Sequence, residues 1–263
     1  MFIISIEIPY KEDHLQYNFS MFKVNLVLNL NDSVPSHLIH ENIIWTHEKM
    51  SQNSLYWNGK QLSFRPLNEK ALPIFFDFPS KLSYHASRQY NLKKEIFAKA
   101  IGINQYNSIK ILDGSLGTGK DAMLLLSFGA RVRGIERNPI VYLLLKDAYH
   151  LALKGREKHF LKENFSLELS ASHNVKLSQD DDQSVFYFDP MFKKMRNKSK
   201  SKKEMEIFKY LVGIDDDYQD VLTWAMEQKF SRVVLKRSIH DDKYLKPTAS
   251  YTGNTVRYDM YSL

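Results

Sequence analysis

The chain has 263 residues, 43% of them apolar, which supports a packed core and excludes an intrinsically disordered protein. It contains no cysteine, so disulfides and thiolate metal sites are ruled out, and a reducing compartment is compatible. Lys and Arg exceed Asp and Glu by 37 to 30, and the surplus is concentrated: Lys193, Lys194, Arg196, Lys198, Lys200, Lys202 and Lys203 follow one another without an intervening acid. A dense positive stretch of this kind attracts a polyanion through counterion release.

The first residues, MFIISIEIPYKEDH, have no basic segment ahead of the apolar ones and soon meet acids, so they do not read as a signal peptide. No uncharged apolar run approaches the roughly 18 residues that span a bilayer. The expectation is a soluble cytoplasmic protein with no membrane partner. Short β-prone runs at 2–8, 24–30, 55–57 and 62–64 are broken by Asn, Asp, Ser and Pro, which predicts a small α+β domain over residues 1–80. His37, His40 and His47 lie in it without carboxylates at ligand spacing, so loop or interface roles are expected and no metal site.

A proline-punctuated stretch, 66–79, reads as a linker. Beyond it strand and helix alternate: helix 92–101, strand 109–112, helix 121–128, strand 132–135 and helix 139–153, with proline where a missing N–H is harmless. Strands at 165–169, 185–188 and 232–235 follow, with helices 203–211 and 218–228 between the last two. This alternation predicts an α/β fold, a mostly parallel, doubly wound sheet over residues 81–263.

The densest chemistry lies in Asp113-Gly114-Ser115-Leu116-Gly117-Thr118-Gly119-Lys120-Asp121, where a buried strand runs through three glycines into a helix. Glycines let the backbone turn tightly and approach a ligand, and the helix start offers N–H groups. Two readings compete. Gly114, Gly119 and Lys120 satisfy most of a phosphate-binding P-loop, and the strand ending in Asp189 resembles one that holds magnesium. An NTPase, however, needs a hydroxyl where Asp121 places a carboxylate. Like charges about 4 Å apart repel by roughly 4 kcal/mol at an effective dielectric near 20.

The alternative is an adenosine ligand without phosphate. The next strand ends in Glu136, 23 positions after Asp113, near the offset at which an acid reaches ribose hydroxyls. S-adenosylmethionine carries a ribose, an ammonium and a sulfonium, so acids around its site make sense: Asp113 near the methionine end, Glu136 on the ribose, and Asp121 within reach.

Asp189-Pro190-Met191-Phe192 closes another buried strand and resembles the [DNS]-P-P-[FYW] motif of enzymes that methylate amino groups on bases. Asp189 and the Pro190 carbonyl can accept the hydrogens of an amine, Pro190 stiffens the turn, and Phe192 can stack on an extruded base. The basic run starts at once after it, so Lys193, Lys194, Arg196 and Lys198 are read as phosphate contacts, with Lys236 and Arg237 adding to them. A non-catalytic RNA-binding protein with a degenerate pocket is the remaining alternative.

These residues resemble the bacterial 16S ribosomal RNA guanine-N2 methyltransferases of the RsmJ type over about residues 70–261. The resemblance rests on Ile74-Phe75-Phe76-Asp77-Phe78, the glycine loop, Glu136-Arg137-Asn138-Pro139 and Asp189 to Phe192. Further support comes from Leu211-Val212-Gly213, Val233 to Arg237 and Arg257-Tyr258-Asp259-Met260-Tyr261. It implies a Rossmann-like class I methyltransferase sheet with a small N-terminal domain, acting with S-adenosyl-L-methionine on 16S ribosomal RNA or the small ribosomal subunit. Beside Gly114, Gly117 and Gly119, which the loop itself marks as cofactor-binding, it implies that Lys120 and Asp121 contact cofactor, with Glu136 and Arg137 on the ribose side. Ala171 and Ser172 then touch the adenine side, and Asp189 faces both cofactor and target. The chain departs from the family pattern at Lys120, where Arg is usual, and at Lys193, where Pro is usual.

Overall fold

A computed structural model describes residues 22–27, 33–46, 54–65, 73–104, 108–191, 216–242 and 244–263. Four short strands, β1 (Phe22–Val27), β2 (Ile43–Thr46), β3 (Ser54–Trp57) and β4 (Leu62–Arg65), form a sheet of order β2-β1-β3-β4. β1 runs parallel to both neighbours, and β3 and β4 are antiparallel. The strand expected at 2–8 lies outside the described residues. The expected linker ends differently: Ile74 bridges to Phe64, and a helix, α1 (Phe78–Ala86), begins inside it. Asp77 supplies the start signal, its Oδ1 accepting the Ser80 N–H at 2.9 Å, with Pro79 in the first turn. Residue 80, the expected domain boundary, therefore falls within a helix.

The second sheet contains β5 (Lys110–Asp113), β6 (Arg131–Glu136), β7 (Phe165–Leu169), β8 (Val185–Phe188), β9 (Arg232–Ser238), β10 (Ala249–Thr252) and β11 (Val256–Ser262). Their order is β10-β11-β9-β8-β5-β6-β7. The five strands from β7 to β9 are parallel, as the alternation predicts, and β11 pairs antiparallel with both β9 and β10. Between and beside them run α2 (Ile96–Ile101), α3 (Lys120–Ser127), α4 (Pro139–Ala152), α5 (Lys158–Asn164) and α6 (Tyr218–Met226). The helix expected over 203–211 lies outside the described residues. Among the described residues, no helix is long and apolar enough to cross a membrane.

α4 explains why there are two sheets. Ile140, Val141, Tyr142, Leu143, Leu144 and Leu145 are consecutive and all buried, so the first turns of the helix are apolar around their whole circumference. Such a helix needs cover on every side. One side packs on the large sheet, and β1, β4 and the turn at Ser36–Leu38 cover the other. Each fully buried leucine contributes about 1.5–3 kcal/mol. Asp147 ties the layers together: its Oδ2 accepts the Leu62 N–H at 2.8 Å and its Oδ1 lies 2.8 Å from His37 Nε2. His37 also stacks on His150, so it works between the layers. One apolar core runs from Val24 and Leu55 through Leu143 to Ile111 and Tyr187. On the opposite face of the large sheet, α6 seals a second core through Val221, Leu222 and Ala225.

Candidate active site

The chain leaves β5 toward β6 and β7, then crosses back to β8 and β9, so the strand order reverses between β5 and β8. Open α/β sheets hold ligands beyond the carboxyl ends of the strands at such a reversal. Here a cleft of about 310 Å³ opens there, walled by the loop after β5, the ends of β6 and β8, the turn after β7, and residues of α3, α6 and β9.

The glycine loop turns its backbone donors toward the protein. Gly114 N–H donates to Tyr187 O at 2.8 Å, Leu116 N–H to Ile135 O at 3.0 Å and Gly119 N–H to Leu116 O at 2.8 Å. Ser115 N–H donates to Asp113 Oδ1 at 3.1 Å and Gly117 N–H to Glu136 Oε2 at 2.9 Å. A phosphate cradle needs such N–H groups aimed at its ligand. The P-loop expectation for Gly114–Asp121 is corrected on this ground: five of its donors already hold the loop closed.

Two glycines are dictated by space and conformation. A Cβ on Gly114 would lie 2.6 Å from the Phe186 ring. Gly119 has a φ of +69° and caps α3, where a Cβ would meet the Phe78 ring at 2.7 Å. Gly114, Gly117, Lys120 and Asp121 line the cleft, whereas Gly119 faces α1 and does not. Asp113 does not line the cleft. Its carboxyl is wholly buried under the loop rather than exposed to a methionine moiety, and burial pushes its pKa up to about 8. The Ser115 N–H opposes that rise, while the Asp121 and Asp189 charges add to it.

Glu136 ends β6 and lines the cleft, buried, with Oε1 accepting the Asn138 N–H at 2.8 Å and Oε2 bound by Gly117. Asn138 in turn caps α4, its side chain accepting from Ile140 and Val141 N–H groups. The stretch from Glu136 to Pro139 thus fixes the acid and starts the helix. Arg137 lies beside it and pairs with Asp217, Nη1 standing 2.9 Å and 3.0 Å from the two carboxylate oxygens. Ala171 and Ser172 line the wall after β7, and the Ser172 hydroxyl donates to the Gly114 carbonyl.

The floor holds a charged network. Lys236 Nζ lies 2.6 Å from Asp121 Oδ2 and 2.9 Å from Asp189 Oδ2, and the Tyr187 hydroxyl donates to the same Asp121 oxygen at 2.6 Å. The Asp189 N–H donates to Ser115 Oγ at 2.6 Å, joining the end of β8 to the glycine loop. Burial works against ionisation of Asp121, yet the Lys236 charge and the bonds from Lys236 and Tyr187 hold its carboxyl below the ordinary range. Burial likewise works against the Lys236 ammonium, but Asp189 and Asp121 hold it above the usual lysine value.

Lys236 and Arg237, expected together as phosphate contacts, are separated by the strand that carries them. Consecutive strand residues point to opposite faces. Lys236 enters the cleft, while Arg237 is buried on the α6 side, its guanidinium 5.4 Å from the Tyr218 ring centroid and 3.8 Å from Asp241. Pro190 is buried behind Asp189 and does not line the cleft. Phe192, Lys193, Lys194, Arg196 and Lys198 lie outside the described residues. The sequence reading misses Ser115, Tyr187 and Asp217. Ser115 had a signal, a hydroxyl between two loop glycines; nothing marks Asp217 as the partner of a residue 80 positions away.

The cleft suits the donor expected for it. Four carboxylates (Asp121, Glu136, Asp189, Asp217) face three cations (Lys120, Arg137, Lys236), a balance favouring a ligand with an ammonium and a sulfonium over a triphosphate. The parallel sheet, the closed glycine loop and this acid-rich crevice define the class of S-adenosylmethionine-dependent methyltransferases. The SAM-dependent methyltransferase family model matches residues 38–263. The chain is 34% identical to ribosomal RNA small subunit methyltransferase J of Vibrio vulnificus strain YJ016 over 228 residues, covering 82% of this chain and 88% of that one. It is 33% identical to the protein of the same name in Haemophilus influenzae strain PittEE over 229 residues, covering 85% and 88%. A SAM-dependent methyltransferase from Neisseria gonorrhoeae shares the fold at a TM-score of 0.63 and 24% identity, over 84% of this chain and 87% of that one. The chain belongs to the SAM-dependent methyltransferases and, within them, to the family of ribosomal RNA small subunit methyltransferase J.

Proposed function

We propose that this chain transfers the methyl group of S-adenosylmethionine to the exocyclic N2 amine of a guanine in 16S ribosomal RNA. The observation that carries the reading is Asp189, whose carboxylate stands at the end of β8 in the cleft and whose N–H is tied to the glycine loop at 2.6 Å. Its side chain is 39% exposed, more than either partner in the floor network, so it is the member open to an incoming base. The names of the relatives, methyltransferases of small-subunit ribosomal RNA, support the substrate class. That substrate places the work in the cytoplasm.

The donor supplies an electrophilic methyl carbon on a sulfonium and leaves as a neutral thioether. Glu136, fixed by the Gly117 and Asn138 N–H groups, accepts from the ribose hydroxyls. Ala171 and Ser172 border the adenine, and Asp121 and Arg137 close the walls. A guanine amine is a weak nucleophile because its lone pair is delocalised into the ring. Asp189 accepts an amine hydrogen, which orients the lone pair toward the methyl carbon and draws off the proton as the N–C bond forms. Holding nucleophile and electrophile in line accounts for much of the acceleration. Phe192 stacks on the extruded base, and the basic residues that follow it meet the RNA backbone.

The test uses labelled S-adenosylmethionine with small-subunit RNA, free and assembled, followed by nucleoside mass spectrometry. Label in N2-methylguanosine is expected, reduced at least about a hundredfold by Asp189→Ala with the far-ultraviolet spectrum unchanged. Label in another nucleoside, or undiminished transfer by the variant, refutes the proposal.

A further inference from the structure

Lys236, in the floor network, has no role in the proposed reaction as described. Lys236 reaches two carboxylates with one ammonium, Asp121 at 2.6 Å on the α3 side and Asp189 at 2.9 Å on the β8 side. Its side chain is only 20% exposed, so these charges meet in a poorly solvated place. Asp121 on α3, Asp189 beyond β8, Asp113 at the end of β5 and Tyr258 on β11 act on it directly, while Lys120 and Tyr187 act on Asp121 and Glu95, just before α2, acts on Tyr258. Most are acids or phenols. Two carboxylates held this close in such a setting do not both stay ionised without a cation between them.

We propose that Lys236 is a positioning residue that keeps Asp189 ionised and aimed at the target amine while locking Asp121 to the same point. This deepens the proposed function and rests on Asp189 accepting from the amine. A protonated Asp189 has one oxygen committed as O–H and loses its pull on the amine hydrogen. The ammonium binds Asp189 through Oδ2 and fixes how its carboxylate stands at the cleft. Because the same ammonium binds Asp121, a residue of the cofactor wall, the two half-sites share one fixed centre. The neutral Tyr187 hydroxyl, raised well above its ordinary pKa by burial and then by Asp121 and Asp189, donates to Asp121 and cannot supply the missing positive charge.

The first readout needs no ligand. In protein labelled with ¹³C at the aspartate carboxyls, with Asp121→Asn and Asp189→Asn to assign the signals, Asp121 should titrate below the ordinary range. In Lys236→Met, one of the pair should titrate at least about one pH unit higher than in the wild type. Lys236→Arg should restore the wild-type pattern, and Lys236→Gln replaces the Met variant if that one does not fold. Titration curves unchanged by removal of the ammonium overturn the proposal. The second readout is the pH profile of methyl transfer. Lys236→Met should lose on the order of a hundredfold in kcat near neutrality, with its acid limb displaced upward and part of the rate regained at higher pH. A loss of equal size at every pH, which a merely structural lysine would produce, also overturns it. Failure of wild-type transfer to RNA would count against the proposed function, whereas the carboxyl titration tests the lysine independently of it.

Discussion

Asp113 carries a protonation state that can be read from stability. Its folded pKa is about 8, against 3.8 in an unfolded chain, because burial disfavours the carboxylate. Below 3.8 both states hold the proton. Between the two values the folded state keeps it and the unfolded state has lost it, so stability falls as pH rises, by at most about 1.4 kcal/mol per unit, until the folded pKa is passed. Asp113→Asn keeps an acceptor for the Ser115 N–H and removes the titration. Denaturant unfolding at pH 5 and pH 8 should therefore show a smaller loss in the variant than in the wild type; parallel losses would mean that Asp113 is ionised in the fold. The site was legible at this scale where local chemistry announces it: glycines after a buried strand, an acid at a set offset, an Asp-Pro turn. Asp113 shares that motif yet lies beneath the loop, because the residue ending a strand can point to either face. The separation of Lys236 from Arg237 has the same origin.

Among the elements, α4 makes the strongest demand. Its buried circumference requires the small N-terminal sheet, and Asp147 supplies the polar link between the two. In Asp147→Ala the Leu62 N–H loses its acceptor and His37 its carboxylate partner. An unpaired buried N–H costs about 1–3 kcal/mol, so global stability should drop by that amount or more in chemical denaturation. A change under about 0.5 kcal/mol would show that the layers are held by apolar packing alone. The parallel strands β5, β6, β8 and β9 were legible as short apolar runs, and β5 and β6 also because helix signals follow them. α1 was hidden because its prolines read as a linker, when Pro79 sits in a first turn capped by Asp77. β10 and β11 were hidden by weak patterns: β10 alternates between half-buried and exposed residues, and its pairing with β11 is set by the sheet edge rather than by its own composition.

At the scale of the molecule, the order of the large sheet does the work that no single motif can. It brings the ends of β5, β6, β8 and β9 to one edge, so that Gly117, Glu136, Asp189 and Lys236, distant in sequence, wall a single cleft. The most direct test is calorimetric titration of the wild type and of Glu136→Ala with S-adenosylhomocysteine and, separately, with ATP and magnesium. One equivalent of S-adenosylhomocysteine should bind the wild type, and Glu136→Ala should bind it roughly tenfold or more weakly, as expected for loss of a charged hydrogen bond. ATP with magnesium should give no heat in either protein. Saturable binding of ATP in the cleft with none of S-adenosylhomocysteine would contradict the account.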